Sequence, residues 1–148
     1  MANDEYEYIV ELVVQHPRLS ATEIGECFHG LTPRSAVSAG DLTVGKRRAK
    51  ASVWIFSFCD SRVSTRQKML SDTLQQFADK LKPFSDAILQ LKSGGSVSFD
   101  VDIFSHGMCS ACDFYSHLLH DLNSIGVDLN LCFYERDSGI AKRPDENE

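Results

Sequence analysis

An α+β fold is what this 148-residue sequence predicts: a two-layer α/β sandwich, with a four-stranded mixed or antiparallel sheet covered by helices on one face. Three observations carry that reading. Strand-like segments alternate apolar and polar residues, helical apolar stripes separate them, and the elements follow one another as β-α-β-α-β-α-β. A sheet wrapped on both sides would show strands apolar on both faces, and three of the four segments do not.

Tyr6, Tyr8, Val10, Leu12 and Val14 alternate with Glu7, Ile9, Glu11, Val13 and Gln15, which is the period of a half-buried strand. Leu19-Ser20-Ala-Thr-Glu23-Ile24 follows. Ser20 and Glu23 have capping-box spacing, and Leu19 with Ile24 that of a hydrophobic staple, so a short helix starts at Ser20 and stops near Gly30. Residues 31–50 contain Pro33, Gly40 and Gly45 and read as a loop with at most a short extended piece. Ser52–Cys59 is rich in aromatic and β-branched residues on both faces, which suits an internal strand.

Leu70, Leu74, Phe77, Leu81, Phe84, Ile88 and Leu91 form one helical stripe. Pro83 lies inside it and lacks a backbone donor, so the helix must kink or restart there. Val97, Phe99, Val101 and Ile103 mark a third strand. A capping box at Ser110–Asp113 then opens a helix carrying Phe114, Leu118, Leu122 and Ile125, closed by Gly126. Val127–Tyr134 alternates as the fourth strand, and its length and connection suit a parallel crossover. One domain over residues 1–136 and a polar, disordered tail over 137–148 complete the expected layout.

Composition narrows the function. A hydrophobic content of 43% and a charged content of 24% fit one globular core. A net charge of −6 argues against nucleic acid as a partner, since phosphate binding needs a basic face. The basic cluster Lys46-Arg47-Arg48-Ala49-Lys50 lacks interleaved aromatics and reads as a solvated loop. No apolar run approaches the roughly 20 residues of a membrane helix, and no secretory signal opens the sequence. The expectation is therefore a cytoplasmic protein with no membrane partner, whose five cysteines are thiols.

The opening strand resembles that of the bacterial domain of unknown function 4279 family. So do the capped helix leading to Gly30-Leu31-Thr32-Pro33 and Gly40-Asp41, the Trp54 strand, the helix pair through Leu81-Lys82-Pro83-Phe84, and the closing strand–helix–strand. The resemblance spans residues 6–135. It implies no activity and supplies no catalytic residues to carry over. Small bacterial domains of this kind sometimes serve as immunity partners of toxins, an association at the level of the fold.

Two groups of residues stand out chemically. The first is His106, Cys109 and Cys112, a C-x-x-C near a helix start with one imidazole, which suits a redox dithiol or an incomplete zinc site. On a helix beginning at Ser110, Cys112 and His120 would lie about 12 Å apart, at ~1.5 Å per residue, so they could not share an ion. His117 and His120 fall on the face away from Leu118 and Leu122. Ordinary cysteines beside a helix cap remain the competing explanation, and no cofactor is implied beyond that zinc alternative.

The second group is Glu7, Glu11, Asp100, Asp102 and Asp128, all on the outward sides of their strands. Together they would make an acidic sheet face able to steer a basic protein partner. Its bland counterpart is a solvated face kept polar for solubility. Trp54 reads as core, and His16 and His29 as surface residues at element ends. No phosphate loop, nucleophile elbow or helical H-E-x-x-H occurs, which leans against an enzyme. The functional expectation is a non-catalytic interaction module using the acidic face, immunity-type in one version. A thiol redox or metal protein using Cys109 and Cys112, and a small-molecule binder or enzyme with a site in the 31–50 loop, are the alternatives.

Overall fold

The computed structural model describes residues 5–107 and 111–135. Along the chain it forms β1 (Tyr6–His16), α1 (Ala21–Glu26), β2 (Ser35–Val37), β3 (Ser52–Ser57) and β4 (Val63–Ser64). Then come α2 (Leu70–Leu81), a 3-10 turn (Lys82–Phe84), α3 (Ser85–Gly94), β5 (Ser96–Ser105), α4 (Ser116–Ile125) and β6 (Asp128–Glu135). The fold is α+β, but the sheet has six strands rather than four, ordered β2-β3-β1-β5-β6, with β4 also on β1. The two unexpected strands are three and two residues long, too short to display a period. β4 pairs Ser64 with Glu7 and Val63 with Tyr8, and β3 pairs with β1 from Glu11 onward. All pairings are antiparallel except β5–β6, which is the parallel pair that the closing crossover predicted.

Period two makes β1 the spine of the molecule. Tyr8, Val10, Leu12 and Val14 are fully buried, and Val97, Phe99, Val101 and Ile103 of β5 join them on the same face. Ile24 of α1, Leu74, Phe77 and Leu81 of α2, Ile88 and Leu91 of α3, and Leu118 and Leu122 of α4 fill the same core. The Tyr8 hydroxyl donates to the Lys68 carbonyl at 2.9 Å and lies 2.6 Å from the Thr73 hydroxyl, so this buried phenol is satisfied. Burial pushes its pKa up. Trp54 is core, stacked on Phe28 at 5.0 Å.

Local chemistry explains most element ends. The Ser20–Glu23 capping box forms with both arms, although α1 stops at Glu26, short of Gly30, whose φ of +86° serves a later turn. Pro83 does break the long stripe, with the 3-10 turn between two helices that share the core. The last helix departs from expectation: it starts at Ser116, with Tyr115 in the N-cap position but no side-chain cap, and not at Ser110, which lies outside the described residues. Residues 111–115 instead run across the start of α2, where the Ser71 hydroxyl donates to the Asp113 carbonyl at 2.5 Å. Phe114 and Cys112 pack against the core there, and that tertiary packing overrides the local cap signal. Gly126, at φ +82°, ends α4 as predicted.

His16 is buried, not a surface residue. Its Nδ1 accepts the backbone N–H groups of Arg18 and Leu19, each at 3.0 Å, holding the turn into α1. Its ring lies against Gly94 and Gly95, and a Cβ on Gly95 would come within 2.1 Å of the Gln15 carbonyl oxygen. Close approach of these two segments therefore requires glycine there. No helix among the described residues is long and apolar enough to cross a membrane.

Phe99 tests the core directly, since it is fully buried and meets Phe58 edge-on at 5.6 Å. Phe99→Ala is expected to lower unfolding stability by about 3–5 kcal/mol, read by denaturant titration with an unchanged m-value. A loss below about 1 kcal/mol would contradict the packing described.

Candidate functional site

The face of the sheet opposite the core holds the candidate site, and register builds it. Glu11 of β1 lies opposite Asp100 of β5, which lies opposite Asn130 of β6. One step along, Ile9, Asp102 and Cys132 form the next row, followed by Glu7, Phe104 and Tyr134. Glu11, Asp100 and Asp102 are thus neighbours on two central strands. Of the five predicted acidic residues, these three come together.

The other two stand apart. Asp128 lies beyond this row, opposite Ser98, and its carboxylate pairs with Lys92 of α3 at 2.8 Å. Glu7 faces Phe104 and Ser64, and lines a shallow cleft of about 220 Å³ with Arg66 and His106.

Each of the three central carboxylates has a different environment. Glu11 pairs with the Arg34 guanidinium through Nε and, at 3.0 Å, through Nη2. Arg34 is held by its own backbone N–H, which donates to the Ile55 carbonyl at 2.8 Å beside β2. Asp100 accepts from the Ser98 hydroxyl at 2.7 Å and from the Asn130 amide at 3.1 Å, both on Oδ1. Asp102 has no hydrogen-bond partner among the described residues. Partial burial, then the charges of Glu11 and Asp100, push its carboxyl pKa up, with Arg34 opposing them. An ionised Asp102 is therefore held at a cost that a cation placed beside it would remove.

Aromatic side chains border the acidic residues. Phe104 stacks on Tyr134 with ring centroids 5.3 Å apart, and the Arg62 guanidinium carbon lies 3.7 Å from the Phe104 centroid. Phe104, Asn130 and Tyr134 could have been found from strand phase alone. Arg34 and Arg62 could not, because both lie in loops whose path no period describes. The arrangement can bind and orient a cation by charge and by ring faces.

The thiol–imidazole group is described only in part. Cys109 lies outside the described residues, His106 is exposed on the 220 Å³ cleft, and Cys112 is half-buried against the core. The helical spacing between Cys112 and His120 does not exist, because Cys112 precedes α4. Among the described residues, no group of three or more His, Cys, Asp and Glu is placed to hold a metal ion. Burial raises the thiol pKa of Cys59, as it does at Cys27, which makes both poorer nucleophiles. Residues 38–50 form an exposed excursion closed by a Leu42–Arg48 bridge. Neither the 220 Å³ cleft nor a larger one of about 470 Å³ beside Tyr6, Ser71 and Tyr115 involves that loop.

Residues 5–136 match the family model described as a domain of unknown function, DUF4279. Comparison with curated proteins and with solved structures returns no match.

The raised carboxyl has a signed consequence. The folded chain binds a proton at Asp102 more readily than the unfolded chain, so this group destabilises the fold once ionised. The penalty is absent below the ordinary aspartate range and grows as pH rises from there through the raised value. Asp102→Asn is expected to raise Tm at pH 7 by about 1–3 °C, an advantage that vanishes near pH ~3. Thermal melts across pH, with NMR titration of the Asp102 carboxyl carbon, check both parts. A carboxyl titrating at or below the ordinary range would refute the assignment.

Proposed function

The chain belongs to the DUF4279 family, a domain of unknown function, and we propose that it is a non-catalytic interaction module whose acidic sheet face receives a basic protein partner. The observation that carries this reading is Asp102. Its carboxylate is partly buried beside two other acids and has no hydrogen-bond partner among the described residues, although Arg34 and Asn130 serve its neighbours. Proteins kept polar only for solubility gain nothing from such crowding, and like charges on adjacent strands weaken pairing. A partner's arginine or lysine seated over Asp100 and Asp102 would relieve it.

The surroundings suit an arginine in particular. The Phe104–Tyr134 stack offers ring faces next to the carboxylates, and Arg62 already uses one of them. The sheet face is rigid, because both central strands are paired on each side, so binding would order few side chains. An immunity-type role against a basic toxin is one instance of this function. Complementary charge would then act mainly on association rate and partner choice.

Cross-linking affinity purification of the full chain from its native host tests the proposal against an Asp100→Lys/Asp102→Lys form. A basic protein should be recovered with the wild type, cross-linked to β1 or β5, and its yield should fall at least about tenfold on charge reversal. Circular dichroism must show the variant folded. Recovery of no partner, or equal recovery by both forms, would overturn the proposal.

A further inference from the structure

The two edges of the sheet are built differently. β2 is three residues long and is followed by the 38–50 excursion, so it offers little free backbone. β6 is eight residues long, Asp128-Leu-Asn-Leu-Cys-Phe-Tyr-Glu135, and pairs with β5 on one side only among the described residues. It has no proline, lysine or arginine, and its charges sit only at its two ends. Phe133 is 57% exposed and Tyr134 46%. Natural sheets guard free edges with short strands, bulges, prolines or lysines, and β6 shows none of these residue types.

We infer that β6 is a self-association edge, pairing antiparallel with the β6 of a second copy of this chain around a two-fold axis. Its sequence carries the choice of occupant. With the axis through Leu131, Leu129 faces the partner copy's Phe133 and Leu131 faces its counterpart. These pairs lie on the core side of the sheet, because Leu129, Leu131 and Phe133 are in register with Phe99, Val101 and Ile103. On the open side Asn130 faces Cys132 and Asp128 faces Tyr134, with no like charges opposed. Both sheets would present their open faces in the same direction, since a two-fold normal to a sheet preserves its faces. A shift of the axis to Cys132 would instead set Glu135 against Leu129. This edge borders the acidic face proposed above and shares Asn130, Cys132 and Tyr134 with its rows, but self-association here does not depend on a basic partner.

The test uses the full chain at micromolar concentration. Sedimentation should give twice the monomer mass. The Asn130→Cys form should, on mild oxidation, become a covalent dimer on non-reducing gels, because directly opposed strand residues lie within disulfide reach. That band should vanish in Asn130→Cys/Cys132→Ser. An Asn130→Lys/Cys132→Lys form, which opposes lysine to lysine in the dimer, should sediment as a folded monomer. Both positions changed, Asn130 and Cys132, are exposed in the single chain, and circular dichroism reports folding. A monomeric wild type would overturn the inference, as would a dimer that neither cross-links through Asn130→Cys nor dissociates with the lysine pair.

Discussion

β1 is flanked by three other strands, and the alternation of its side chains fixes how each of them must lie. Tyr8, Val10, Leu12 and Val14 are all fully buried, so a slip of one residue against β5 would turn four core side chains outward and drive Glu7 and Glu11 inward. That penalty locks the register. The same lock places Glu11 beside Asp100 on the opposite face. Core and candidate site are therefore two sides of one constraint, and the acidic row is as well determined as the hydrophobic one.

The energetics of that row differ from those of a surface ion pair. An exposed pair such as Arg66–Glu5 contributes little, because water already solvates both partners. Glu11 is more enclosed, with its side chain 15% exposed, and Arg34 reaches it from the loop before β2. One cation thus serves a cluster of three carboxylates. Asp100 is supported by neutral donors, and Asp102 is left to bear the repulsion. A fold optimised only for stability would replace Asp102 with a neutral residue, and that mismatch between stability and sequence is what directs attention to the face.

Long periodic elements were readable from sequence, and short or context-set ones were not. The strands around Tyr8, Trp54 and Phe99 and the Pro83 helix break each follow from a local pattern, and so does the Ser20 cap. β2 and β4 are pairings of two or three residues dictated by what lies beside them. The start of α4 moved because Phe114 and Ser71 make tertiary contacts that a capping-box match cannot register. His16 looked like a terminal surface residue, yet its ring closes a turn against glycines some eighty positions away. On the site, strand phase identified the acidic residues facing outward. Register was needed to separate the three that cluster from Asp128, which Lys92 neutralises, and Arg34 entered only through its loop.

Chain order around β1 bears on how the protein is made. β1 precedes every strand it pairs with: β3 begins at Ser52 and β5 at Ser96. During synthesis the β1 edge that pairs with β5 must wait until more than half of the chain has emerged, with α1, α2 and α3 able to cover only part of its apolar face meanwhile. Long-range strand pairing of this kind is slow and leaves edges exposed. A ribosome-bound fragment ending before β5 would be the species most in need of a chaperone, and pausing downstream of Ser105 would favour a clean release.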